Sequence, residues 1–145
     1  MTGVGVFSAM EVAASGLSAE RTRMNTIASN LANARTTRTA EGGPYKRLDP
    51  VFEAVPLENM GVVNPLGNAV SAVRVNQVQQ DKRDPMLVYE PGHPDADKDG
   101  YVRYPNVNVV EEMVNMITAS RAYEAGVTSI ESVKAMARSA LAIGR

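Results

Sequence analysis

Apolar and small side chains recur at spacings of three and four near the end of the chain: Val109, Met113, Met116, Ser120, Tyr123, Val127, Ile130, Lys134, Ala137 and Leu141. Eight of these ten are apolar. A period near 3.5 predicts one long amphipathic helix over 106–145, because a strand would alternate polar and apolar positions. No proline follows Pro105, and Gly144 marks a stop. Asn106 or Asn108 is placed to cap the first turn, where Glu111 and Glu112 meet the positive end of the helix dipole. Such a helix runs on the order of 55 Å. A compact domain of this length has a radius of gyration of about 15 Å. The helix must therefore lie along a partner.

The first 35 residues carry a second seam of the same kind: Met10, Ala14, Leu17, Arg21, Met24, Ala28 and Leu31, with Phe7 and Ile27 beside it. Arg21 can snorkel outward along its stem. Gly16 reads either as a tolerated weak point costing about 1 kcal/mol or as a place of close helix approach among Ala13, Ala14 and Ser15. The periodicity ends over 33–38, where Thr36, Thr37 and Thr39 favour extended backbone. Gly42-Gly43-Pro44 then forms a turn. Leu48 to Val55 and Val70 to Val78 read as strands, as do the shorter Met86 to Tyr89 and Tyr101 to Tyr104, with 56–68 as loop. The expected fold is mainly α with a small β insert. Residues 1–35 and 106–145 pair as a coiled coil, and 36–105 form a β-rich region with long connections. The second seam is longer than the first, so part of it is expected to find a partner outside the chain.

Composition narrows the function. Aromatic content is 5%, with no Trp, so Ala, Val, Leu and Met carry the apolar surface. The net charge of −1 argues against nucleic acid and acidic membranes as partners. Charge shifts along the chain: six basic and three acidic side chains over 1–47 (+3), five and nine over 48–105 (−4), four and four thereafter. There is no cysteine, hence no disulfide or thiolate chemistry. No stretch reads as a cleaved signal peptide or bilayer span.

Candidate chemistry is sparse. Asp95-Ala96-Asp97-Lys98-Asp99-Gly100 opens like a calcium loop, but Arg103, Pro105 and Asn106 occupy its positions 9, 11 and 12. A β-turn accounts for it better. His93, the sole histidine, lies in a Pro-Gly-His-Pro turn and reads as an exposed residue. No nucleophile elbow, dinucleotide loop or phosphate loop occurs, so neither catalysis, a cofactor nor a small-molecule substrate is expected. Asn25, Asn30 and Asn33 are poor interior helix residues. Asn33 is placed to end the helix, and Asn25 and Asn30 read either as exposed or as bonding to a neighbouring chain.

Ala14-Ser15-Gly16-Leu17, Met24-Asn25 and Ile27 to Ala34, followed by Thr36-Thr37, resemble the N-terminal signature of flagellar rod and hook proteins, which ends in N-x-A-N-x-x-T. Gly43 to Arg47, Tyr101 to Asn108, Val110 to Ile117 and Ser120 to Tyr123 are similar to the proximal rod branch of that family. An eight-residue spacer from Arg38 to Tyr45 fits the same branch. The resemblance implies an axial flagellar subunit exported by the flagellar type III apparatus without a cleaved signal. It would assemble with other rod proteins and copies of itself into a periplasmic basal-body rod. The seam residues expected to carry that assembly are Leu17, Met24, Asn25, Asn30, Leu31, Asn33, Met113, Met116, Tyr123, Val127, Ile130 and Leu141. A soluble helical adaptor or export chaperone, binding a partner helix along 109–141, is the alternative.

Overall fold

The computed structural model describes residues 2–57 and 70–143, with side chains from residue 5 onward. Helix α1 (Thr2–Ala32) leads into strand β1 (Leu48–Pro56), strand β2 (Ser71–Gln80), the short strands β3 (Met86–Tyr89) and β4 (Tyr101–Tyr104), and helix α2 (Val109–Ile143). Both helices and all four strands fall where the periodicity places them, to within a few residues. The loop expected over 56–68 lies for the most part outside the described residues.

The helix ends follow from local chemistry. Asn108 caps α2: its side-chain oxygen accepts the Val110 and Glu111 amides at 3.1 and 3.3 Å, filling donors that the first turn leaves open. Asn33 closes α1, its amide nitrogen donating to the Ser29 carbonyl at 2.9 Å and its oxygen accepting the Thr36 hydroxyl at 3.2 Å.

The helices lie antiparallel. Leu17 meets Gly126 and Asn30 meets Glu112, so the chain rises along α1 as it descends along α2. Their lengths, 31 and 35 residues, and this register bring α1 alongside nearly the whole of α2. The overhang expected of the longer seam is therefore small. Exposed apolar side chains lie instead on the outer side of α2 at Val110, Val114 and Ile117, and at the open end of the hairpin at Phe7, Leu141 and Ile143.

The seam of α2 is also rotated from the expected one. Glu112, Ala119, Gly126 and Val133 alternate with Met116, Tyr123, Ile130 and Ala137 as its buried and half-buried positions, whereas Met113 and Lys134 are exposed. Size explains the shift. Helices approach closely only where one of them is thin, and Gly126 receives the Leu17 side chain so tightly that a Cβ there would stand 2.8 Å from Leu17 Cδ2. Gly16, by contrast, has nothing within 4 Å of where its Cβ would be. The close approach is at Gly126, and Gly16 is the tolerated weak point. On α1, Arg21, Ala14 and Ala28 face outward while Ala19, Thr26, Ile27 and Asn30 are buried, because this helix packs against α2 on one side and a β ribbon on the other.

That ribbon pairs β1 antiparallel with β2, Leu48 opposite Gln80 through Pro56 opposite Ser71. Its register slips between Val51 and Phe52, leaving Asn76 as the extra residue of a bulge. The Ser15 hydroxyl accepts the Val73 amide at 3.1 Å and donates to the Val12 carbonyl at 2.7 Å, which ties β2 to α1. A second, separate ribbon pairs β3 with β4. Its connection is the Asp97 turn: the Asp97 carboxylate accepts the Asp99 and Tyr101 amides, both at 2.9 Å. Gly100 closes it at φ +84°, where a Cβ would stand 2.8 Å from the Tyr89 ring. His93 is half-buried rather than exposed. Its Nδ1 accepts the Asp95 amide at 3.1 Å and its ring lies edge-on to Tyr104.

The two glycines separate packing from propensity. Gly126→Val is expected to cost about 1–3 kcal/mol by overpacking, measured by urea unfolding, and to lose most of that cost in a Leu17→Ala background. Gly16→Ala is expected to stabilise by up to about 1 kcal/mol.

Candidate functional site

The most constrained chemistry lies where the end of α1, the segment before β1 and the start of α2 converge. Asn30, 1% exposed, spends its whole side-chain amide there. Its oxygen accepts the Leu48 amide at 2.8 Å and the Tyr45 hydroxyl at 3.0 Å. Its nitrogen donates to the Leu48 carbonyl at 2.9 Å and to Glu112 Oε2 at 3.1 Å. The side chain thus pairs with Leu48 as a neighbouring strand would and reaches α2 with the bond left over.

Glu112, also 1% exposed, accepts from Arg47 Nε at 2.7 Å through its other oxygen. A buried carboxylate is tolerable only with such partners. Asp49 lies 3.6 Å from the same guanidinium. Burial opposes the charge on Arg47, but the hydrogen bond it donates to Glu112 and the charges of Glu112 and Asp49 outweigh it and raise its pKa. Burial, then the Glu112 charge, raises the Tyr45 phenol above its ordinary value.

The acids of the would-be calcium loop are engaged otherwise. Asp95 pairs with Arg38 at 2.6 Å and accepts the Thr37 hydroxyl at 2.8 Å, latching the stretch after α1 to the β3–β4 connection. Among the described residues no group of three His, Asp or Glu side chains is placed to hold a metal ion.

The expected seam residues divide. Leu17, Met24, Leu31, Met116, Tyr123, Val127 and Ile130 are half-buried, Asn30 is buried in the clasp and Asn33 is half-buried at the helix end. Asn25, Met113 and Leu141 are exposed, the last two at 55% and 75%. Asn30 therefore bonds within the chain. Sequence reasoning did not bring Tyr45, Arg47 and Glu112 together, and it read Glu112 only as a charge at the start of α2. The signal available for Glu112 was its place four residues before Met116 and seven before Ala119, in step with the seam.

Two family models match the helical halves of the chain: residues 10–38 match one described as flagella basal body rod protein, and residues 98–143 match the C-terminal part of the flagellar basal body rod FlgEFG proteins. Over nearly their whole lengths, relatives named flagellar basal-body rod protein FlgC are similar to it. The one from Borreliella burgdorferi is 49% identical over 97% of this chain and 98% of its own. Those from Bacillus subtilis and Salmonella typhimurium are 40% and 39% identical, over 96% and 98% of this chain and 98% and 100% of theirs. The chain belongs to the flagellar basal-body rod protein family. Asn30 lies in the first matched stretch of this rod protein and Glu112 in the second, so their 3.1 Å bond joins the two halves that mark the family.

Glu112→Ala is expected to destabilise the rod protein by about 3–5 kcal/mol, since Arg47 keeps its burial and loses its main partner. Tyr45→Phe is expected to cost about 1 kcal/mol at neutral pH. Because the folded phenol titrates higher than the unfolded one, its stabilisation is complete below about pH 10 and is lost as pH rises through the raised folded value. Denaturant melts across that range should therefore fall less steeply for Tyr45→Phe than for wild type.

Proposed function

We propose that the chain is a structural subunit of the bacterial flagellar basal-body rod, in its proximal part, where copies of it and other rod proteins assemble as a helical tube that transmits torque. The observation that carries this reading is the similarity to FlgC proteins over nearly the full length of both chains. The geometry supports it: a long helical hairpin with a register fixed by buried bonds suits a strut, and the β1–β2 ribbon is tied along α1. A head-to-tail contact whose rotation does not close builds such a tube. In this reading the helices form the inner layer and the ribbons the outer one. The chain reaches the periplasmic rod through the flagellar type III export apparatus without a cleaved signal. It uses no catalytic group, cofactor, nucleic acid or small-molecule substrate.

Fractionation and immunogold labelling test this directly. The chain is expected in isolated basal bodies, and its loss is expected to leave cells without motility. A cytosolic pool in tight one-to-one complexes would instead establish the adaptor or export-chaperone reading. Leu17→Asp, which sets a charge against Gly126 in the helix seam, is expected to abolish motility in a swimming assay.

A further inference from the structure

The β3–β4 ribbon leaves one face uncovered. Its pairing sets Leu87 opposite Arg103 and Tyr89 opposite Tyr101. Alternation along the strands puts these four side chains on one face and Val88 and Val102 on the other. Val102 is buried and Val88 half-buried, whereas Leu87, Tyr89 and Tyr101 are 64%, 64% and 43% exposed, and Arg103 is exposed beside them. The tyrosines are held firmly. Their rings meet edge-on at 5.3 Å, and the Tyr89 ring lies against Gly100, where a Cβ would stand 2.8 Å away. Rigid tyrosine and arginine side chains are the commonest anchors of protein interfaces.

Charge divides this face lengthwise. Beyond the tyrosines the connecting turn carries Asp97 and Asp99 against the single charge of Lys98, all three exposed. At the other end Arg103 borders a cavity of about 230 Å³ that Lys46, Arg47 and Arg83 also line. Arg47 is spent on Glu112 and Arg83 on Asp81. Neither Lys46 nor Arg103 has an ion-pair partner among the described residues.

We propose that this face docks on the same face of a second copy, across a two-fold axis at right angles to the strands. Charge selects that axis. It turns the second copy end for end, so each acidic turn meets the other copy's basic end, whereas an axis along the strands would set like charges together. Tyr101 of each copy then lies over Arg103 of the other, a cation–π contact. Tyr89 lies over Leu87, and Asp99 reaches Lys46 and Arg103. The contact is isologous and closes at two copies. Strands of four residues are about 14 Å long, so the pair buries less than ~1,200 Å², the range of transient complexes. Subunits of a head-to-tail tube share one direction, which an isologous contact would reverse. The dimer therefore belongs to the chain outside the rod, and it stands independently of the rod reading.

Sedimentation velocity of the full purified chain over a concentration series tests this pairing. Wild type is expected to pass from monomer to dimer as concentration rises. Arg103→Glu and Asp99→Lys, each of which sets like charges together, are expected to weaken the dimer about tenfold or more, because symmetry counts each lost contact twice. Both positions are exposed, and circular dichroism is expected to show the wild-type fold in each variant. Combining the two changes in one chain, or mixing the two single variants, is expected to restore the dimer. A wild type that stays monomeric at every concentration, a dimer indifferent to both charge reversals, or single variants that no combination rescues overturns the proposal. Basal-body fractionation is scored separately. A chain found there that never dimerises loses this docking face and keeps the rod assignment, while a dimerising chain absent from basal bodies keeps the face and loses the rod.

Discussion

The structure depends on one buried carboxylate. Glu112 sits buried on the seam of α2, and such a charge is stable only if it is both paired and hydrogen-bonded. Arg47 supplies the pair and Asn30 the bond. A buried ion pair gains little over a well-packed apolar contact, but this one is met in a single register, because Glu112 must reach both partners at once. The same cluster decides where the first ribbon leaves the hairpin. Asn30 holds both backbone groups of Leu48, the first residue of β1, and the Ser15 hydroxyl then catches β2 further along α1.

Elsewhere the core is thin. Among the described residues the buried apolar ones are Ala19, Ile27, Leu57, Ala72, Val102, Val107 and Ala119, and on the helices they are alanine except for Ile27. Their value lies in letting backbones come close, as Gly126 does for Leu17, since dispersion needs contact more than bulk. Close seams of small residues bury modest area, and the large aliphatic side chains are left for the outside. The resulting molecule is well specified internally and poorly covered externally.

The helices and strands were legible in the sequence because period and β-branching are local properties. Proline at 105 and the asparagines at 33 and 108 placed the helix ends for the same reason. The seam of α2 was displaced because the sequence-level pattern favours large apolar residues, so Val109 and Met113, both exposed, drew the stripe toward themselves. In the fold, Ala119 and Gly126 win through their small size, and Glu112 wins through partners that no local pattern reveals. The clasp was illegible for that reason: Asn30 lies 82 residues from Glu112 and 18 from Leu48. Asn30 was visible as an anomaly within a helix, yet its partners depend on a register that only the paired helices define. The family resemblance rested on short runs such as Asn30 to Thr36, and those runs are where the chain turns from helix to clasp.

The separation of Asn30 from Glu112 along the chain, 82 residues, also sets a clock. At synthesis rates of about 5–20 residues per second, roughly 4–16 s pass between the emergence of one and that of the other. Throughout that interval α1 has neither its ion-pair anchor nor the notch at Gly126. Contacts this remote in sequence are slow to form even in the finished chain, because loop closure must precede any gain from packing. The hairpin is thus built to complete itself late, and α1 waits for seconds during synthesis before the helix it pairs with exists.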